Sequence, residues 1–372
     1  MYFAARSRSY GDLYVPAFTV ALGSHDRDML TTHGLAATSV SVDLALSMSG
    51  TFRSSIPNTF DPERSEFLTR NKDPVLELLT LGKRVWIRMG YGDRKGQKPL
   101  LSGYITAIGT GFSEGGSPTL EVSGVDSTYL LTLGTQKFQS ELTVEEMVSM
   151  IARQSRLRAK VEGVPGTKML LGPDMESGLA YLRTLAEKFS SASEKFEFYA
   201  LATPGGDELR FRPRQVQSAP VGTLTWGVDL LSFDPEFSIG EQVSEVRILS
   251  WDEVAKKKIV GKATREPAAS GGTSGGALQK KLFGDAVLEM YHPVRTQQEA
   301  DDRAASELAQ RAQSYVGGTG VTFGLPELLP DTVITLKGLG KRFSKTFYVS
   351  KTVHSFDASG YRTRFTVERT AM

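Results

Sequence analysis

Two stretches of the chain share one outline, and that duplication constrains the fold more than any single motif. Arg84 to Asp126 reads as three short strands joined by glycine-rich turns. Val85, Ile87, Met89 and Tyr91 fall on one face of an extended segment, Leu101, Gly103, Ile105 and Ala107 follow, and Leu120 and Val122 alternate with Glu121 and Ser123. Asp331 to Arg369 repeats the outline. Aligning Val85 with Val333 sets Gly90-Tyr-Gly92 on Gly338-Leu-Gly340. It also pairs Leu101–Ile108 with Phe347–His354 and starts the third strands at Thr119 and Tyr361. Such self-similarity predicts one chain carrying two copies of a small antiparallel β-domain.

A chain of 372 residues has room for two or more domains with proper cores. Its 44 Lys and Arg stand against 42 Asp and Glu, so no global field draws nucleic acid or anionic lipid. The absence of cysteine excludes disulfides and thiolate metal sites and suits synthesis in the cytosol. The opening MYFAARSRSYGDLYVP has no apolar signal region, and no run of roughly 18 apolar residues offers a membrane span. Thirty-seven glycines among many short alternating runs favour a β-rich fold with tight turns over a helical bundle.

In chain order, Tyr14–Leu22 and Thr38–Met48 read as the first two strands. Asp61-Pro62-Glu63 and Asp73-Pro74 each place a capping acid before proline, which predicts two short helices, with Gly82 as a stop. Thr143 and Glu146 form a capping box. Val144, Met147, Val148 and Ile151 then recur at helical spacing, so an amphipathic helix is expected from Thr143 to about Leu157. A second helix follows over Ser177–Phe189. After it comes a hairpin turning at Pro204-Gly205-Gly206-Asp207. Strand signals resume at Leu224 and continue through Gly240–Asp252. Glu266–Gly276 has the composition of a flexible linker. Thr296–Glu299 caps a helix whose face is Ala300, Ala304, Leu308, Ala312 and Tyr315, closed by Gly317-Gly318.

These readings predict a β-rich α+β fold, with two tube-like antiparallel β-barrels from an internal repeat and α+β and helical insertions. The expected segments are a first barrel at 1–135, an α+β module at 136–222 and the first part of a second barrel at 223–265. A linker and helical insertion at 266–319 and the barrel's completion at 320–372 follow.

No catalytic, cofactor or metal site is expected. His25, His33, His292 and His354 are scattered without ligand spacing, and each reads as structural or exposed. Gly338-Leu-Gly340-Lys341 lacks the earlier glycine of a phosphate loop, and Arg342 stands where Ser or Thr would hold magnesium. Glu145-Glu146 and Asp301-Asp302 sit in first turns of expected helices, where they favour the helix dipole. Lys256–Lys258 reads as a solvated strand end and not as a nucleic-acid site.

The order of features resembles a baseplate hub protein of the phage late control D family, found in contractile tails and related injection systems. The resemblance spans nearly the whole chain. It rests on Pro16–Val20, Gly82–Tyr91, Leu101–Ile105, the helix from Thr143, Leu179–Ala186, Tyr348–His354 and Gly360–Phe365. It implies a structural protein and not an enzyme: a homotrimer that adapts a hexameric inner tail tube to a trimeric spike, in contact with other baseplate proteins. It implies assembly in the bacterial cytoplasm and incorporation into a virion tail or injection particle. The chain runs to Met372 without a spike domain, so the spike is expected as a separate polypeptide. Competing readings are a tail-tube or tail-tip binding module and, less favoured, a cell-wall hydrolase.

Overall fold

The computed structural model describes residues 15–370 apart from 58, 113, 139, 170–175, 192–193, 204, 254 and 265–273. Its first eight strands are β1 (Pro16–Leu22), β2 (Ser39–Ala45), β3 (Thr51–Ile56), β4 (Phe60–Asp61), β5 (Glu66–Phe67), β6 (Arg84–Tyr91), β7 (Gln97–Gly111) and β8 (Thr119–Asp126). The middle of the chain adds β9 (Arg158–Val161), β10 (Phe196–Leu201) and β11 (Glu208–Pro213). The remainder supplies β12 (Gly222–Thr225), β13 (Leu230–Phe237), β14 (Glu245–Asp252), β15 (Lys257–Ala263), β16 (Val287–Tyr291), β17 (Val316–Phe323), β18 (Thr332–Lys337), β19 (Thr346–Asp357) and β20 (Gly360–Arg369).

The repeat is real and its two copies join. Unit 1 has the order β1-β6-β7-β8-β3-β2 and unit 2 the order β12-β18-β19-β20-β17-β13, and β2 pairs with β19, so the units form one 12-stranded sheet. Each unit has its own core. Val85, Ile87, Met89, Ile105 and Val122 lie in one, while Ile334, Leu336, Phe347, Val349 and Val367 lie in the other.

The sequence alignment of the copies is one residue out at their first strands and two out at their second, where Gly103 and not Leu101 corresponds to Phe347. Both β7 and β19 carry a bulge, between Ile105 and Ala107 and between Val349 and Lys351. The Gly82 amide donates to the Ile105 carbonyl at 2.8 Å and the Asp331 amide to that of Val349 at 3.0 Å. Gly82 and Asp331 are both left-handed, with φ of 77° and 64°. Val85 therefore corresponds to Ile334, and Val333 points to the opposite face. A shift of one residue exchanges the faces of a strand.

The α+β module has its own core, in which Val144, Met147, Val148 and Ile151 of the helix Val144–Gln154 meet Leu182, Leu185, Phe198 and Phe211. Thr143 and Glu146 close the predicted capping box, and the helix Gly178–Phe189 is capped by Ser177. The hairpin β10–β11 takes β9 as a parallel third strand.

Five local expectations are corrected. Residues 62–65 form the turn of the β4–β5 hairpin rather than a helix, and the helix Val75–Leu78 starts from Pro74, while Asp73 accepts from the Thr69 hydroxyl instead of capping. Gly317 and Gly318 belong to β17, because the helix Gln297–Gln313 ends at Ser314. The expected second-barrel segment 223–265 divides. β12 and β13 enter unit 2, whereas β14 and β15 form a separate sheet with β16 that packs on the helix Gln297–Gln313. Most of the expected linker lies outside the described residues, but Ser274 caps the helix Gly275–Phe283 and Gly275 and Gly276 are buried in its first turn.

Candidate assembly interface

Inside the chain, six consecutive residues of β2, Val40–Ala45, pair with Phe356–Lys351 of β19. That pairing is possible because β19 is longer than the strand beside it: β18 covers only Thr346–Val349, and the rest of that edge is left for β2. The seam is fastened at one end by aromatic contacts. Phe18 meets Phe356 at 4.7 Å between ring centroids, Tyr91 meets Tyr361, and the Tyr91 hydroxyl donates to the Gly324 carbonyl at 2.8 Å. Gly324 is glycine for a spatial reason, since a Cβ there would overlap the Tyr361 ring.

Among the described residues the corresponding edges elsewhere are open. In β7 the partner strand β6 stops opposite Tyr104, and the residues equivalent to Lys351, Thr352 and Val353 are Ala107, Ile108 and Gly109. Among the described residues this stretch pairs with β8 alone. Ala107 and Gly109–Gly111 are exposed. The counterpart of β2 is β13, in which Asp43 corresponds to Glu236, Val42 to Pro235 and Leu44 to Phe237. β13 pairs with β17 and presents Asp234–Phe237 to solvent. Pro235 removes one donor, a device that keeps edge strands from pairing indiscriminately.

Large apolar side chains accompany both edges. Phe112 and Leu81 flank the first, and Trp226, Val228, Leu231 and Phe237 the second, all exposed. Leu81 is 66% exposed although its equivalent, Pro330, is buried. Exposed apolar groups beside open strand edges make these the surfaces best suited to pairing with a further strand or binding an apolar ligand.

The histidines and charged groups singled out in the sequence do not come together. His25 sits beside Asp26 at 3.2 Å, and His33 closes a short helix. His292 is held below its usual range by burial and by Arg303. His354 is fully buried: its Nε2 donates to the Leu328 carbonyl at 3.1 Å and its Nδ1 lies 2.9 Å from the Tyr361 hydroxyl and 3.2 Å from that of Thr363. Burial lowers its pKa to about 4. Lys256 is a left-handed turn residue between β14 and β15, and the segment Gly338–Phe343 is a turn and a short helix. Glu146 serves the capping box, and Asp301 accepts from the Lys262 amide at 3.0 Å. Of the arginines on β20, Arg362 lies over the Phe323 ring and Arg364 is exposed. Among the described residues no group of three or more His, Cys, Asp or Glu is placed to hold a metal, and no helix is long and apolar enough to cross a membrane.

One heavily bonded buried carboxylate escaped sequence reading. Asp331, 1% exposed at its side chain, accepts from Arg212 at 2.7 Å, the Gln215 amide at 2.9 Å, the Tyr348 hydroxyl at 3.0 Å and the Tyr199 hydroxyl at 3.2 Å. The signal that could have pointed to it is the period-two run Arg210, Arg212, Arg214, which puts guanidinium groups on one face of β11 and of the residue that follows it.

The Alg8 N-terminal domain family matches residues 60–357. The chain belongs to that family. No curated protein matches the chain by sequence. Its fold is shared with the 43 kDa tail protein of prophage MuSo2 from Shewanella oneidensis, at 14% identity and a TM-score of 0.70, over 95% of this chain and 98% of that one. The tail protein from Neisseria meningitidis MC58 is similar at 16% identity and 0.64, over 96% and 97%. The E. coli c3393 protein, described as a component of the type VI secretion system with structural similarity to the T4 tail proteins gp27 and gp5, is similar at 13% identity and 0.54, over 94% and 76%.

Proposed function

We propose that the chain is the structural hub of a contractile tail or injection system, of the late control D type, acting as a homotrimeric adaptor between a hexameric inner tube and a separate trimeric spike. The observation that carries this reading is the pair of open edges. The seam between β2 and β19 joins two equivalent units inside a chain. The edge of β13 and the free half of β7 are the same two surfaces, each without its partner among the described residues. A heterologous contact of this kind repeats from copy to copy until the ring closes. Three copies then place six near-equivalent units around an axis, which meets a sixfold tube on one side and a threefold spike on the other. The tail and secretion proteins that share the fold support the setting. The assembly's place is a virion tail or injection particle, and its work is mechanical and not enzymatic.

The absence of cysteine makes the test direct. Asp43 lies opposite Val353 across the internal seam, and the equivalent residues at the open edges are Glu236 and Gly109. Oxidation of an Asp43→Cys/Val353→Cys chain should link each chain to itself and leave it monomeric on a denaturing gel. A Gly109→Cys/Glu236→Cys chain should instead give covalent dimers and trimers and nothing larger. Six linked copies, or a chain that stays monomeric with its tube and spike partners present, would overturn the adaptor in favour of a tube or tip module.

A further inference from the structure

We infer that the α+β module is a clamp across the internal seam, with Asp331 as its fixing point. It keeps the junction inside a chain closed and, on the ring reading above, leaves the junctions between chains separable.

The module touches both units where the seam ends. On the unit 1 side, the Ser47 amide donates to the Phe198 carbonyl at 2.8 Å, the Ser47 hydroxyl donates to Glu197, and Arg183 reaches the Ser47 carbonyl at 3.4 Å. Ser47 follows the last paired residue of β2 by two positions and holds a left-handed φ of 52°. Farther along, Arg84 donates to Asp207 at 2.7 Å, and the Ser127 hydroxyl bonds the same carboxylate. On the unit 2 side, Asp331 gathers Arg212, Tyr199 and Gln215 from the module together with its own unit's Tyr348. Arg214 adds Glu368 at 2.7 Å, and Tyr348 lies under its guanidinium. Between these fastenings Leu46 of unit 1 packs with Val333 and Tyr348 of unit 2, and Tyr199 of the module closes over them. A cavity of about 150 Å³ is lined from all three bodies, by Leu44 and Gly50, by Tyr199 and Arg212, and by Pro330 and Asp331.

The equivalent position in unit 1 cannot be fastened in this way. Asp331 corresponds to Gly82, which carries no carboxylate, and the neighbouring Leu81 is exposed where Pro330 is covered. One junction type has a clamp and the other has none. Removing the carboxylate leaves Arg212 only the Tyr199 hydroxyl at 2.9 Å and Glu162 at 3.5 Å, and takes the acceptor from the Gln215 amide and the Tyr199 and Tyr348 hydroxyls, the kind of loss that opens a docked surface.

The test is amide hydrogen exchange on the full chain carrying Asp331→Gly, a change the left-handed backbone accepts and that makes unit 2 like unit 1 at this position. The seam segments 39–45 and 351–356 should exchange about tenfold faster than in the parent, while 119–126 and 208–213 keep their protection. Unchanged seam exchange, with or without loosening of 196–213, would overturn the clamp. If Asp331→Gly unfolds the whole chain, Asp331→Asn, which keeps the volume, is judged by the same outcomes. The measurement needs no ring. Seam opening in a chain that forms no trimer leaves the clamp and removes the adaptor, and a trimer with an unresponsive seam does the reverse.

Discussion

Unit 1 and unit 2 share strand order, bulge and left-handed turn, yet they solve the same packing problem with different residues. At one cross-strand position unit 1 sets Phe52 opposite Gly124, and unit 2 sets Gly318 opposite Val367. The large member has changed strands, and Phe233 covers the space over Gly318 that its missing side chain leaves. A large side chain faces a glycine in both units, but the strand that carries each is exchanged. A duplicated domain can thus keep its topology while its sequence similarity fades.

The swap can be broken most sharply at Gly124. Gly124→Val installs the residue that unit 2 carries at the equivalent place, but a Cβ there meets the Tyr104 carbonyl and the Phe52 ring. The cost should be about 3 kcal/mol or more in urea unfolding, against about 2 kcal/mol for Val367→Ala, which only empties space. Tolerance of Gly124→Val within about 1 kcal/mol would mean that the units repack freely and that the pairing described here is incidental.

The units also differ in what they bury, and this sharpens the comparison through pH. Asp126 of unit 1 is pushed up to about 6, chiefly by burial, against hydrogen bonds from Thr128 and Gly50 and with a contribution from Asp207. His354 of unit 2 is lowered to about 4, again by burial, partly opposed by the Leu328 carbonyl. The signs are opposite. The folded chain holds the Asp126 proton more tightly than the unfolded chain does, so that stability is present below pH 3.8 and is lost as pH rises through 6. His354 resists its proton, so its contribution is present above pH 6.5 and is lost as pH falls through 4. Each amounts to about 3 kcal/mol. Together they nearly cancel between those limits. Asp126→Asn should uncover a chain that weakens on acidification from pH 7 to 4.5, and His354→Gln one that strengthens. Parallel slopes for the two variants in urea titrations would refute the assignment.

How much of this was legible follows from the range of each interaction. Caps at Thr143 and Ser177 and the alternation of β20 are local, and residue spacing alone places them. The register of β18 was not, because Val333 and Ile334 are both apolar and both buried, and only the partner strands decide which one faces the unit's core. β14 alternates like a barrel strand, so nothing in its composition tells that it pairs with β15 and β16 instead. The Asp61-Pro62 signal was captured by the hairpin that joins Phe60 to Phe67, where Asp61 accepts from the amides of Glu63 and Arg64. The seam and the open edges were beyond local reading. They exist because β19 and β7 outrun their neighbours, which is a property of pairing and not of either strand.

The smallest expected effect separates the two junction types by their surface charge. Across the internal seam Lys351 pairs with Asp43 at 2.8 Å, with side chains 46% and 38% exposed. Exposed pairs contribute little, and here chain connectivity and the module already hold the seam, so Lys351→Ala should change stability by about 0.5 kcal/mol or less. At the open edges the equivalents are Ala107 and Glu236, so the acid is kept and the cation is missing. If copies join edge to edge as proposed, Ala107→Lys would restore the pair between neighbours, where no covalent link shares the load. It should strengthen assembly two- to threefold at low salt, roughly 0.5 kcal/mol per contact, and the gain should vanish as salt screens it. Native mass spectrometry across a dilution series reads the shift. Weaker assembly with Ala107→Lys, or a gain that survives high salt, would show that Glu236 and Ala107 do not face each other between copies and that the ring closes in another register.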